Sequence, residues 1–563
     1  MTERSFHAPT RRRALKVLAG LGVGTVVFQR ALAQEAAKAK TVTAVMVKQA
    51  EWVSGLELTE DQRKNVAGSL NRELQAFEQM RNVKLPNSVP PALSLNPAPW
   101  LPPSTEPRGS VEPTAAAALT RKPDSADDLA FLPVTALSAL IRDRKISSVE
   151  LTKLYLERLK KYNPALRCVV TLTEELALKQ AEQADKEIAA KNYRGPLHGI
   201  PWGAKDLIAY PGYKTTWGAA PFKDQTLDTK ATVAKKLEEA GAVLVAKTTL
   251  GALAMGDRWF GGMTRNPWNP KSGSSGSSAG SSSATAAGLI GFGIGSETLG
   301  SIVSPCRVCG TTGLRPTFGR VSRHGCMTLS WSMDKLGPIC RSVEDCALVF
   351  GAIHGFDGLD AAAVDRPFSW PAKRPLKELK VGYFEQTMPA EKRDELRVLK
   401  DLGVTLVPIK APSKYPVGAL HLILDVEAAS AFDDLARTGD LEGLNFWQPT
   451  FRRGQFIPAV EYLRANRIRT LLMQEMDEIM KSVDLYVGGN DLLVTNLTGH
   501  PTVVLPTGFR KPENAPETPF SVTFTGRLYG ETDLLAVAHA YQQATGHHLK
   551  HPDMDKVTME NAG

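Results

Sequence analysis

The segment Gly273–Gly288, GSSGSSAGSSSATAAG, places eight hydroxyls and no charge in sixteen consecutive positions. Glycine and serine neither add bulk nor restrict the backbone, so this composition by itself suits a flexible linker. The residues after it exclude a linker. An apolar run, Leu289–Ile294, comes next, and then GSETLGSIVSPCRVCGTTGLRPTFGRVS to Ser322, with a second glycine-flanked serine at Ser301. Glycines and small hydroxyls on both sides of an apolar element imply backbone packed closely around a site, with amide groups left to point into it.

A serine in such a site becomes a nucleophile only if something removes its proton. No histidine occurs between His198 and His324. Lysine is the remaining base, and Lys205 in HGIPWGAKDLIA is a single cation among glycine, alanine, proline and tryptophan. Desolvation there favours the neutral amine, which can accept a proton. The competing reading is a surface pair between Lys205 and Asp206. Three shorter matches carry less. GAVLVAKT (241–248) lacks the second glycine of a phosphate-binding loop. Gly276–Gly280 fits GxSxG without the preceding apolar strand that motif needs, and SMDK (332–335) lacks the partner motifs of SxxK enzymes.

The remainder of the chain is that of a globular protein, with 43% hydrophobic and 23% charged residues. Its formal charge of +9 is concentrated at the start, where residues 1–33 hold six basic groups against one acid; the rest has 62 basic and 58 acidic residues, a net +4. That is too little for phosphate attraction, so no nucleic-acid partner is expected. The start itself, TRRRALKVLAGLGVGTVVFQRALAQ, runs from paired arginines through an apolar stretch to small residues at Ala31 and Ala33. It predicts a twin-arginine-type export signal over 1–33 and a periplasmic or secreted product with no stable membrane span once the signal is removed. Six cysteines are too few for a disulfide scaffold, and the Cys306/Cys309 pair lacks a second ligand pair, so the reading is buried thiols and no metal.

Helical periodicity predicts an N-terminal helical extension over 34–84, capped at Thr59–Gln62 with Val66, Leu70, Leu74 and Phe77 on one face. Proline density over 85–128 predicts an extended strap or linker. The principal domain is predicted over 129–555. It opens with helices in SSVELTKLYLERLKKY and TEELALKQAEQADKEIAA, then passes a helix ending at Gly241 and a buried strand Ala242–Ala246. This alternation predicts an α/β sheet covered by helices. Residues 350–485 read as mostly helix and loop, and the chain closes with strand signals in NLTGHPTVVLPTGF and a strand leading into a helix over 522–545.

The segments GPLHGIPWGAKDL (195–207), SSGSSAGSSSATAAG (274–288), GSETLGSI (295–302) and GLRPTFGRVS (313–322) resemble, in order and spacing, the amidase signature family. The similarity covers roughly 129–350 and 490–550. It implies one large α/β/α domain around a twisted mixed sheet, and hydrolysis of an amide C–N bond through an acyl-serine intermediate. It further implies Ser301 as nucleophile, Ser277 as a bridging serine on a cis peptide bond and Lys205 as base. The oxyanion hole would be made by the backbone amides of Thr298, Leu299, Gly300 and Ser301, with Gly276, Ser278 and Asp206 in support. No cofactor is implied. The partner is a small-molecule amide, with carbamate or ester cleavage as side activities. Oligomeric state stays open between monomer and homodimer. A non-catalytic exported binding protein and a component of a transamidation complex on charged transfer RNA are the alternatives, and export argues against the second. The family's common form reads Asp-Thr-Gly-Gly-Ser-Ile-Arg where this chain has Glu297, Thr298, Leu299, Gly300, Ser301, Ile302 and Val303. The missing arginine leaves Glu297 without its usual partner, and Arg307 is the expected replacement. Trp202, Trp217, Trp259, Phe260 and Trp268 lie near these motifs and are expected to favour an apolar or aromatic substrate if several line the pocket.

Overall fold

Fully apolar or small-residue runs bounded by glycine and proline make strands that need cover on both faces. PWGAK, VLVAKT and KLGPIC are buried at every position and form inner strands of one sheet. A computed structural model describes residues 41–83, 109–114, 121–385, 393–439, 441–444, 446–489, 491–511, 513 and 516–558. The export signal predicted for 1–33 lies outside them, as does most of the proline-rich stretch.

Eleven strands build the sheet: β1 (Val169–Leu172), β2 (Pro201–Lys205), β3 (Val243–Thr248), β4 (Phe292–Glu297), β5 (Thr312–Arg315), β6 (Lys335–Cys340), β7 (Lys380–Phe384), β8 (Thr405–Ile409), β9 (Leu485–Val487), β10 (Thr502–Arg510) and β11 (Thr518–Gly526). Their spatial order is β1-β3-β2-β4-β6-β5-β10-β11-β9-β7-β8. Pairs β3/β2, β2/β4, β9/β7 and β7/β8 are parallel and the others antiparallel, so the sheet is mixed, as the resemblance implied. Residues 350–485, helical in the main, also supply β7, β8 and the start of β9 at one edge.

The helices needed below are α1 (Ala44–Ser54), α2 (Glu60–Arg81), α3 (Ser148–Leu166), α4 (Ala279–Ala286), α5 (Val303–Cys309), α6 (Leu422–Ala431), α7 (Trp447–Gly454), α8 (Ala459–Met480) and α9 (Leu492–Thr498). The capping box predicted for α2 is present: Thr59 Oγ1 accepts the Gln62 amide at 3.3 Å and the Thr59 amide donates to Gln62 Oε1 at 2.8 Å. The apolar face of α2 divides between two clusters. Val66, Ala67 and Leu70 pack with Val47, Leu56 and Leu58 from around α1, while Leu74, Phe77 and Met80 join the main core. Helix α3 shows the same logic, with Ser147 capping the Glu150 amide and Leu151, Tyr155, Leu159, Tyr162 and Leu166 buried on one face.

Helix α4 explains the hydroxyl-rich segment. All eight of its residues are buried, and only small side chains permit such close packing. Burying hydroxyls is tolerated because each has a partner: Ser281 donates to the Ile294 carbonyl (3.1 Å), Ser282 to Pro305 (3.0 Å) and Ser283 to Arg265 (2.8 Å).

Candidate active site

Strands β2 and β4 run parallel, so their carboxyl ends emerge on the same side of the sheet. Lys205 is the last residue of β2, Ser296 and Glu297 end β4, and the loop Thr298–Ser301 follows directly. The segment before α4 brings Ser277 and Ser278 to the same place. Lys205 Nζ lies 2.7 Å from Ser277 Oγ, 3.1 Å from Ser278 Oγ and 2.9 Å from Ser296 Oγ. Its side chain is fully buried, and burial brings its pKa down to about 7 against the opposing pull of Asp334 and Glu297.

The peptide bond between Gly276 and Ser277 is cis. Glycine is required at 276, because a Cβ there would lie 1.9 Å from the Gly256 carbonyl oxygen. The Ser278 amide donates to the Ser301 carbonyl at 3.0 Å and holds the two serine segments side by side. Among the described residues no hydrogen bond joins Ser277 Oγ to Ser301 Oγ. Nor do the amides of Leu299, Gly300 and Ser301 donate to any protein group there, which leaves them free for a ligand. Gly300 takes φ +82°, a conformation that favours glycine, at the turn delivering Ser301.

Asp206 is not a surface partner of Lys205. It is fully buried, pairs with the equally buried Lys247 at 2.7 Å, and accepts the Thr216 amide (2.9 Å) and hydroxyl (2.5 Å). Its support is indirect, fixing the chain just after Lys205. Arg307 does not replace the missing partner of Glu297 either. Arg315, within the GLRPTFGRVS segment, does so: its guanidinium reaches Glu297 Oε1 at 2.6 Å with both groups fully buried, while Arg307 donates to the Gly489 carbonyl at 3.4 Å. Burial alone would raise the Glu297 carboxyl, but Arg315 and the Val303 amide bring it down to about 2. Glu297 Oε2 accepts the Ile302 and Val303 amides (2.8 and 3.0 Å), so this carboxylate holds the first turn after Ser301, and Asn496 of α9 adds a bond of 2.8 Å to Oε1.

Sequence reasoning missed Asp334, which accepts the Thr298 hydroxyl at 2.6 Å and the Leu329 and Ser330 amides (2.8 and 3.0 Å). It lies in the SMDK stretch, whose resemblance to another motif hid this role. The Cys306 and Cys309 thiols are both buried, and burial pushes the Cys309 thiol up to about 12.

Ser301 opens onto a cavity of about 500 Å³ lined also by Gly276, Thr298 and Leu299. None of the five aromatic residues expected there lines it. Trp202 is stacked on Phe292 in the core and Trp268 donates to the Cys309 carbonyl. Trp447 and Phe446 line it instead, from a region with no recognisable motif.

This constellation coincides with the family model described as Amidase, which matches residues 150–489. The chain belongs to the amidase family. The amidase is 32% identical over 480 residues to a glutamyl-tRNA(Gln) amidotransferase chain of Heliobacterium modesticaldum, covering 74% of this chain and 98% of that protein. The native peptide amidase from Stenotrophomonas maltophilia is a structural neighbour at 28% identity and TM-score 0.66, covering 75% of this chain and 98% of the other. A bacterial aryl acylamidase of the amidase signature family shares the fold, with TM-score 0.64, 22% identity, and coverage of 77% and 99%. Amide C–N hydrolysis is accordingly the chemistry of this amidase.

Proposed function

We propose that this amidase cleaves a small-molecule amide through an acyl-enzyme on Ser301, with Lys205 and Ser277 as a proton relay. The observation that carries the reading is the buried Lys205 amine, 2.7 Å from Ser277 Oγ, with a pKa lowered to about 7. Neutral Lys205 takes the Ser277 proton as Ser277 takes that of Ser301, and Ser301 Oγ attacks the amide carbon. The Ser277–Ser301 contact closes when substrate binds, as catalytic hydrogen bonds commonly do. The free amides of Leu299, Gly300 and Ser301 support an oxyanion hole; losing one such donor costs about 3 to 4 kcal/mol in the transition state. The relay run backward protonates the leaving nitrogen as the C–N bond breaks. Water then adds to the acyl-serine by the same route and releases the carboxylic acid.

The test is labelling by a serine-directed fluorophosphonate, with the added mass on the peptide bearing Ser301, and turnover of acyl anilides and glutamine in parallel. Ser301→Ala should lose the label and about ten-thousand-fold or more of kcat. Full turnover by that variant would reject the assignment. Glutamine belongs in the panel because the Heliobacterium relative is named an amidotransferase; turnover confined to it would favour the transamidation reading. Export is part of the proposal and rests on the basic, apolar and small-residue order of residues 1–33. Cell fractionation that leaves the chain in the cytoplasm with its first residues intact would remove it. No helix among the described residues is long and apolar enough to cross a membrane.

A further inference from the structure

The catalytic cavity has a floor and a far wall of different origin. The floor comes from the family region: Gly276, Thr298, Leu299 and Ser301. Part of the far wall is Arg72, Glu73 and Ala76, all on α2, which lies outside the matched residues 150–489.

Helix α2 is held there at several points. Phe77 and Met80 are buried in the main core, and Arg81 pairs with Glu461 of α8 at 2.7 Å. Within the cavity wall, Arg453 of α7 lies 3.3 Å from Glu73 and 2.5 Å from Asp425 of α6. His421 Nδ1 is 3.1 Å from the same Asp425 oxygen. The Glu73, Asp425 and Arg453 side chains are only 12, 6 and 14% exposed. The charged part of the wall thus consists of groups that neutralise one another, with Arg72 at the exposed rim bonded to Ser69. A charged substrate group lowered into this wall would lose its hydration without gaining an unpaired counter-ion. The other lining is apolar, including Ala76, Met255, Leu299, Leu422, Leu424 and Trp447.

We infer that α2 is the specificity wall of this amidase, selecting neutral, apolar amides and limiting their size through the space left over Ala76. The inference rests on the amide-hydrolysis reading of the same cavity. It assigns Ala76 as a size-determining residue and the Glu73–Arg453 contact as the latch that holds the wall in place.

The experiment compares kcat/KM for 4-nitroacetanilide with two series of neutral amides, one enlarging the acyl group and one the amine, in the full chain and in Ala76→Phe. The ratio of the bulky to the smallest substrate should fall at least tenfold in one series. Ala76→Leu, a smaller step, should move the ratio the same way by a lesser factor and serves if the phenylalanine variant does not fold, as judged by its thermal midpoint. Glu73→Gln should raise KM for the bulky member several-fold more than for the smallest. Unchanged ratios in both position-76 variants, or a wild-type preference for carboxylated over neutral anilides, would overturn the inference. Absence of any amide turnover by the wild type would instead sink the reading on which it rests, so the two failures are distinguishable.

Discussion

The floor and the far wall of the catalytic cavity are built on opposite principles. The floor draws on four short segments between residues 201 and 315, each at the end of a strand or the start of a helix, and its groups are fixed by buried bonds such as Glu297 to Arg315. The far wall collects side chains from 72–76, 418–425 and 446–453, held by apolar packing and a mutually neutralised ion cluster. The contrast teaches that chemistry here is specified by local sequence, whereas selectivity is specified by how distant helices dock over it. Changes to the floor should abolish turnover or stability; changes to the wall should move KM and preference.

The sharpest way to break the contrast, beyond removal of Ser301, is Lys205→Met, which should lower kcat/KM about a thousandfold near neutral pH. The wild-type profile carries the same information. Only the neutral amine accepts a proton, so kcat/KM should rise with pH through about 7 and fall below it. A profile flat from pH 5 to 9 would remove Lys205 from the relay.

Next in size is Arg315→Met, which leaves Glu297 buried without its cation and should cost about 3 to 5 kcal/mol of stability at neutral pH. The sign of the pH dependence follows from the depressed native pKa of about 2. Stabilisation by Arg315 is fully present above the unfolded carboxyl pKa and is lost as pH falls toward 2. The difference between wild type and variant in urea unfolding should therefore narrow below about pH 4.5. An equal difference at pH 7 and pH 3 would mean the pair contributes packing alone.

The smallest effect is expected at the rim. Phe446 is 76% exposed where it borders the cavity, so Phe446→Ala should raise KM for an aromatic amide by about threefold, with kcat and the thermal midpoint nearly unchanged. A large loss of kcat there would place the wall in the chemistry and collapse the distinction.

Much of the floor was legible because its signals are local. The desolvated environment of Lys205 can be read from its neighbours, since a strand of glycine, alanine, proline and tryptophan must be buried on both faces. The capping box of α2 and the stripe of α3 were legible for the same reason. The strand expected within Leu289–Ile294 falls instead at Phe292–Glu297, because apolar composition reports burial and not conformation; Leu289 and Ile290 are buried in the turn after α4. Arg307 was preferred over Arg315 on sequence proximity. Yet α5 turns Arg307 toward the Gly489 carbonyl, while β5 runs in the sheet with Arg315 fully buried against Glu297. The aromatic residues near the motifs failed as pocket markers by the same logic, Trp202 being sheet core and Trp447 arriving from residues far along the chain.

By itself, then, the sequence determined the residue types of the reaction centre, the strands that bury them and the sign of the shift on Lys205, all consequences of covalent neighbours and short-range periodicity. Which cation meets Glu297, which aromatic ring lines the cavity and that an N-terminal helix closes its far side were decided only by tertiary structure. Those contacts join residues far apart along the chain, and their geometry depends on where whole elements dock, which no local pattern encodes.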